Sequence, residues 1–219
     1  MKLNRINLTL ASTALSCLLS LGSLRAEYET EMLEAAENEQ WNTVKKYIEA
    51  GKTDINAQDK DGDTALIIAA MSQEIDMIKY LVEREANLNI QPKGAAHTAL
   101  HWAAFDGHLD IAKYLTEHGA SLTPKNKWNR TPLQQAQKFN RTAVVDYLTM
   151  VTDYYAARTN KTVSDFLGTL TKEQLQDVYN IAYNQKHYDV LKEEQFKRRL
   201  NYINKKNEFN TNTMNFKFV

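Results

Sequence analysis

Thr98-Ala99-Leu100-His101-Trp102-Ala103-Ala104 decides the fold, because the chain repeats it. Thr64-Ala65-Leu66-Ile67-Ile68-Ala69-Ala70 begins 34 residues earlier, and Thr131-Pro132-Leu133-Gln134-Gln135-Ala136-Gln137 begins 33 residues later. Self-similarity at this spacing marks an array of stacked units, each a piece of supersecondary structure.

A second block recurs in the same register. Ile78-Lys79-Tyr80-Leu81 aligns with Ala112-Lys113-Tyr114-Leu115 and with Val145-Asp146-Tyr147-Leu148. An upstream copy lacks the threonine but keeps Ala35-Ala36 and Val44-Lys45-Lys46-Tyr47. Each unit reads as two short helices. Ile75, Ile78, Leu81 and Val82 fall at helical spacing and give the second helix one apolar stripe. The small paired alanines let neighbouring helices approach closely. Gly51 and Gly119 stand where a left-handed residue ends the second helix. Glu85 takes that place in the middle unit, at an expected cost of about 1 kcal/mol. Asp54-Ile55-Asn56, Asn87-Leu88-Asn89 and Ser121-Leu122-Thr123 supply turn chemistry between units. One unit cannot bury its apolar face alone, so about three or more must stack.

These motifs resemble the ankyrin repeat. Its T-P-L-H-x-A pattern is best kept in Thr98-Ala99-Leu100-His101-Trp102-Ala103, followed by Gly107-His108. Thr64 to Ala69 has Ala65 and Ile67 in place of Pro and His, and Thr131-Pro132-Leu133 is followed by Gln134. The resemblance covers residues 27–151 and implies an all-α solenoid of about four helix-turn-helix repeats, near 27–57, 58–90, 91–123 and 124–151. A C-terminal helical segment (152–206) and a tail (207–219) follow.

The resemblance also implies that hairpin turns and first helices form a concave binding side. On that side would lie Lys60, Asp61 and Asp63 in repeat two, residues near Lys93 to His97 in repeat three, and Lys127, Trp128 and Arg130 in repeat four. The first helices would end on Met71-Ser72, Phe105-Asp106 and Lys138-Phe139. Buried aromatic and arginine anchors dominate interface energetics, at about 2 kcal/mol or more each. A recognition strip of Met71, Phe105, Trp128 and Arg130, edged by Asp61, Asp63 and Asp106, is therefore expected, with Phe139 beside it. The competing expectation is that these side chains pack locally or against the C-terminal region. Trp41 and Trp102 are expected in the core.

Four of the five histidines lie between His97 and His118. Their spacing is not that of a zinc site. His101 and His108 fall where ankyrin repeats commonly carry structural histidines, His97 in a turn and His118 at a helix C-terminus, where positive charge is favoured. Asp59-Lys60-Asp61-Gly62-Asp63 lacks the glutamate of a calcium loop, since Ile68 and Ala69 stand there. Phosphate loops, nucleophile elbows and H-E-x-x-H motifs are absent from the sequence. No catalytic residue, cofactor or metal is expected.

After Met150 the repeat pattern ends. Residues 151–160 read as a polar junction, Thr162 to Leu170 as a short helix, and Thr171-Lys172-Glu173-Gln174 as a capping box starting a better one. Leu175, Val178, Tyr179, Ala182 and Tyr183 share a face of that helix, and His187 to Ile203 reads as another. A cap that shields the last repeat is expected. Lys197-Arg198-Arg199 and Lys205-Lys206 read as solvated charge.

Met1 to Ala26 has the build of a cleaved signal peptide: Lys2 and Arg5, then an uncharged run from Ile6 to Leu21. That run is about 16 residues, short of the roughly 20 of a spanning helix. A lipid-bearing Cys17 is disfavoured because Leu18, Leu19 and Leu21 continue the apolar stretch. Cleavage would leave a cysteine-free protein, expected in the periplasm or secreted. Hydrophobic residues at 43%, charged residues at 25% and a formal net charge of zero fit an ordinary domain without a global field for nucleic acid or anionic membrane.

The function expected is a monomeric, non-catalytic module that binds an unidentified protein. Alternatives are a host-directed secreted effector, a chaperone-like protector of a periplasmic enzyme, and a small enzyme in the C-terminal helical region. The last lacks a catalytic constellation.

Overall fold

The repeated threonines are helix caps. Thr64 Oγ1 accepts the Ile67 N–H at 3.3 Å, and Thr98 Oγ1 accepts that of His101 at 3.4 Å. Thr131 closes a full capping box, accepting from Gln134 N at 3.3 Å while Gln134 Oε1 accepts from Thr131 N at 3.0 Å. Each hydroxyl satisfies one of the amide donors that a helix start leaves open.

The computed structural model describes residues 22–192 and 196–197. All regular elements among the described residues are helices. They are α1 (22–37), α2 (Trp41–Glu49), α3 (Ala65–Met71), α4 (Ile75–Val82), α5 (Ala99–Asp106), α6 (Leu109–Glu117), α7 (Pro132–Lys138), α8 (Thr142–Asn160), α9 (Val163–Thr169), α10 (Lys172–Asn184) and α11 (Tyr188–Leu191). The chain divides into two compact units, Met1–Trp102 and Ala103–Val219.

In the first unit, Met32, Leu33, Ala35 and Ala36 of α1 are buried, as are all residues of α3 from Ala65 to Ala70. The stripe on α4 buries Met77, Ile78 and Leu81. Tyr80, from the recurring second block, reaches Glu49 of the preceding second helix at 3.1 Å. Asn87 N–H donates to Asn56 Oδ1 at 2.7 Å, joining successive turns.

The second unit repeats this logic. Ile111, Ala112 and Leu115 of α6 and Ala136 of α7 are buried. Tyr147 lies within 2.6 Å of Thr116 Oγ1, the same reach between second helices that Tyr80 makes. Helix α8 does not stop at 151. Val151, Tyr154 and Ala157 continue its buried face, so the expected polar junction is instead helix. Against α6 and α8 lies α10. Lys113 Nζ bridges Asp177 at 2.8 Å, Asn180 Nδ2 donates to Glu117 at 3.1 Å, and Gln185 Nε2 donates to the Thr116 carbonyl at 2.6 Å. Burial raises the Glu117 carboxyl above its ordinary range, against the Asn180 hydrogen bond.

Left-handed residues end the helices. Gly51 and Gly119 have φ of 63° and 97°, and Glu85 adopts 64° without glycine's freedom. A second left-handed position follows each first helix: Glu39, Gln73, Gly107 and Asn140. There the next residue donates back to the buried alanine, as in Gln40 to Ala35 (2.8 Å), Glu74 to Ala69 (2.9 Å), His108 to Ala103 (3.0 Å) and Arg141 to Ala136 (2.9 Å). The C-terminal segment has the same turn. Lys186 is left-handed and His187 donates to the Ala182 carbonyl at 2.7 Å. Thr171 and Gln174 form a capping box like that of Thr131 and Gln134. So α10 and α11 reproduce the repeat's helix–turn–helix without its sequence signature.

Residues 22–26, at the expected signal boundary, are helical and exposed; residues 1–21 lie outside the described residues. Arg25 pairs with Glu29 at 2.9 Å. Of the expected helix from His187 to Ile203, α11 and residues 196–197 are described. Arg198, Arg199, the Lys205-Lys206 pair and the tail lie outside. None of the described helices is long and apolar enough to cross a membrane.

Candidate functional site

The loop before each first helix is a built turn rather than loose chain. In repeat two, Asp59 Oδ1 accepts the N–H groups of Asp61 (2.9 Å) and Asp63 (2.8 Å), and Asp59 N donates to the Asp63 carbonyl at 3.0 Å. In repeat four, Asn126 Oδ1 accepts from Trp128 (3.0 Å) and Arg130 (3.1 Å), and Asn126 N donates to the Arg130 carbonyl at 3.0 Å. The left-handed position is Gly62 in one and Asn129 in the other. A short side-chain oxygen that captures amides two and four residues on locks both turns. Asp61 and Trp128 therefore occupy equivalent places, as do Asp63 and Arg130, and Lys60 and Lys127.

The first unit carries Lys60, Asp61, Asp63 and Met71. Lys60 and Asp61 are exposed and Asp63 is half-buried. Burial, then the charges of Asp59, Asp61 and Glu37, lift the Asp63 carboxyl to about 6. Met71, the last residue of α3, is 41% exposed.

The second unit carries Phe105, Asp106, Lys127, Trp128, Arg130 and Phe139. Phe105 meets Phe139 edge-on, with ring centroids 4.4 Å apart. Phe105 and Asp106 are half-buried, while Phe139 is exposed. Arg141 Nε donates to the Phe105 carbonyl at 2.8 Å and its chain lies against Gly107. Trp128 is 50% exposed, and Lys127 Nζ sits 4.5 Å from the centre of its ring. Arg130 is half-buried. The structure thus joins Phe105 with Phe139, and Lys127 with Trp128.

Asn126 was not among the expected residues, although it sets the repeat-four turn. It is 4% exposed and donates to Gln135 Oε1 at 3.2 Å. Its signal was the alignment of Asn126 with Asp59. Lys125, which is exposed, was likewise not among the expected residues. Between Glu117 and Asp146 the chain has no acidic residue but holds Lys125, Lys127, Arg130, Lys138 and Arg141. A net charge of zero over the whole chain conceals that local excess.

Three of the histidines are held by packing or hydrogen bonds. His101 is fully buried, and its Nδ1 accepts the Thr98 N–H at 3.2 Å, which leaves the ring proton on Nε2. His97 is buried, stacked on His101 and edge-on to Trp102 at 4.9 Å. His118 caps its own helix through the Tyr114 carbonyl. Trp41 and Trp102 are half-buried rather than core residues, although the indole nitrogen of each is buried.

A family model described as ankyrin repeats (3 copies) matches residues 32–126 and 93–162, together more than half of the chain. The chain belongs to the ankyrin-repeat family. It is also similar to palmitoyltransferase akr1 of Schizosaccharomyces pombe, 44% identical over 55 residues. That stretch is 25% of this chain, and the chain spans only 9% of the relative's length. The transferase activity in that name belongs to that protein. Ankyrin repeats are generally non-enzymatic and suggest a protein-interaction module.

Proposed function

We propose that this ankyrin-repeat chain is an exported, non-catalytic module that holds a protein partner with its turns and first-helix ends. The observation that carries the reading is the placement of apolar exposure. The second helices of the repeats leave no large apolar side chain exposed, whereas Met71, Trp128 and Phe139 are each more than a third exposed on turns or first-helix ends; Tyr183, exposed on α10, lies outside the repeats. Large aromatic side chains left in water on a rigid scaffold suit an anchor role. Met71, Lys60, Asp61 and Asp63 would contribute from the first unit. Phe105, Asp106, Lys127, Trp128, Arg130 and Phe139 would contribute from the second, with Phe105 acting mainly by supporting Phe139.

Export rests on the N-terminal sequence. Cleavage after Ala26 would remove no buried residue among those described, since 22–26 are exposed. A periplasmic or secreted module is the result.

The test is affinity capture with the full chain, C-terminally tagged in its own cells, compared with Trp128→Ala/Phe139→Ala. A partner held by the parent and weakened at least about tenfold by the double variant supports the reading. Equal capture by both proteins refutes this surface. Fractionation tests export: a tagged product confined to the cytosol refutes it.

A further inference from the structure

Resting on that reading, we infer that the repeat-four surface of the second unit takes an acidic, extended peptide segment with two apolar anchors. Three observations converge. The turn before α7 has the same hydrogen-bonded frame as the acidic turn of repeat two, but presents Lys127, Trp128 and Arg130 where the other presents Lys60, Asp61 and Asp63. The frame therefore fixes the backbone, and the side chains set which charge is recognised. Second, the excess of positive charge continues along α7 to Lys138, without an acidic residue from His118 to Val145. Third, Gln134, Gln137, Lys138 and Phe139 form the exposed side of α7 and its C-terminal cap.

Apolar side chains of the peptide would meet Trp128 and Phe139, with carboxylates facing Arg130, Lys127 and Lys138. Such charges give specificity and faster encounter more than affinity. A nucleic-acid strand fits less well, because Lys127 leaves at most one face of Trp128 for base stacking. A membrane surface fits less well because glutamines and Lys138 separate the two apolar points.

Fluorescence anisotropy with the full chain tests this. The probe is a short fluorescein-labelled peptide of glutamates carrying two leucines. Comparison probes are the same peptide with lysine for glutamate, an oligothymidylate, and vesicles containing phosphatidylserine. The expected result is preference for the glutamate peptide by at least about tenfold, declining with added salt. Lys127→Glu/Arg130→Glu should weaken it about tenfold or more. Trp128→Ala should weaken it about tenfold with unchanged helical circular dichroism. Glu83→Gln, at the exposed end of α4, should leave it within about twofold. Equal binding of the lysine peptide, tighter binding of oligothymidylate or vesicles, or indifference to Lys127→Glu/Arg130→Glu overturns the inference. If the peptide is not bound but Trp128→Ala/Phe139→Ala still loses the cellular partner, acidic specificity fails and the binding module stands. If that variant also keeps its partner, both readings fail.

Discussion

The turns before α3 and α7 share one backbone and differ in almost every exposed side chain. Asp59 and Asn126 each gather two amides, and Gly62 and Asn129 each take the left-handed position. Yet Asn126 is buried against Gln135, while Asp59 stands at the solvent edge of a crowded acidic loop. In this array the frame of the turn is independent of the charge it displays. Stability comes from the inward-facing polar atom, and recognition from the residues between its hydrogen bonds.

Asn126→Ala should break that comparison most severely. It removes two accepted hydrogen bonds and strands Gln135, for an expected loss of about 3 kcal/mol in urea unfolding. Asp59→Ala removes bonds of the same kind near water and should cost about 1 kcal/mol. Equal losses would show that burial behind the turn does not distinguish the two.

Glycine and asparagine at the left-handed position separate the turns next. Gly62 has φ of 89°, and a Cβ there would lie 3.0 Å from the Pro92 Cα. Gly62→Ala should cost about 2 kcal/mol, because strain adds to contact with backbone that cannot step aside. Asn129→Ala, at φ 57°, should cost about 1 kcal/mol from strain alone. Thermal and urea unfolding of the pair provide the check; a milder Gly62→Ala would refute the close approach.

The smallest effect concerns acidity. Asp63 holds its proton up to about 6 in the folded chain, above the ordinary 3.8. The folded state thus binds more protons between these values, and stability falls as pH rises through that window. Asp63→Asn removes the effect. With allowance for solvent screening, it should stabilise by about 1 kcal/mol near pH 7 and by nothing near pH 3. An unchanged difference from parent across the window would exclude Asp63 as its source.

The array is legible in the sequence because its spacing constrains the core directly. Thr64, Thr98 and Thr131 cap as their positions demand, and Glu85 bends left-handed where Gly51 and Gly119 mark the rule. The turn at Lys186 is not legible, since neither glycine nor asparagine announces it and lysine tolerates the conformation only at some cost. Helix α8 is hidden for a related reason. Asp153, Thr152 and Asn160 read as loop, while the tyrosine that keeps the buried face, Tyr154, looks polar. Of the candidate surface, Trp128 and Lys127 were legible through the register of the ankyrin repeat, which puts them in its turn. The buried amide behind them was not, because asparagine in a turn ordinarily faces water.

The packing of α10 on α6 and α8 bears on the order in which the chain is made. Tyr147 and Tyr154 on α8 are buried, and His187, just beyond α10, contacts the Tyr154 hydroxyl at 2.8 Å. A ribosome delivers α8 before these partners exist. The final repeat must therefore wait, partly uncovered, until residues near 187 have emerged. A truncation that ends with the repeats would make that waiting state permanent, with its tyrosines open to whichever chaperone or neighbouring chain arrives first.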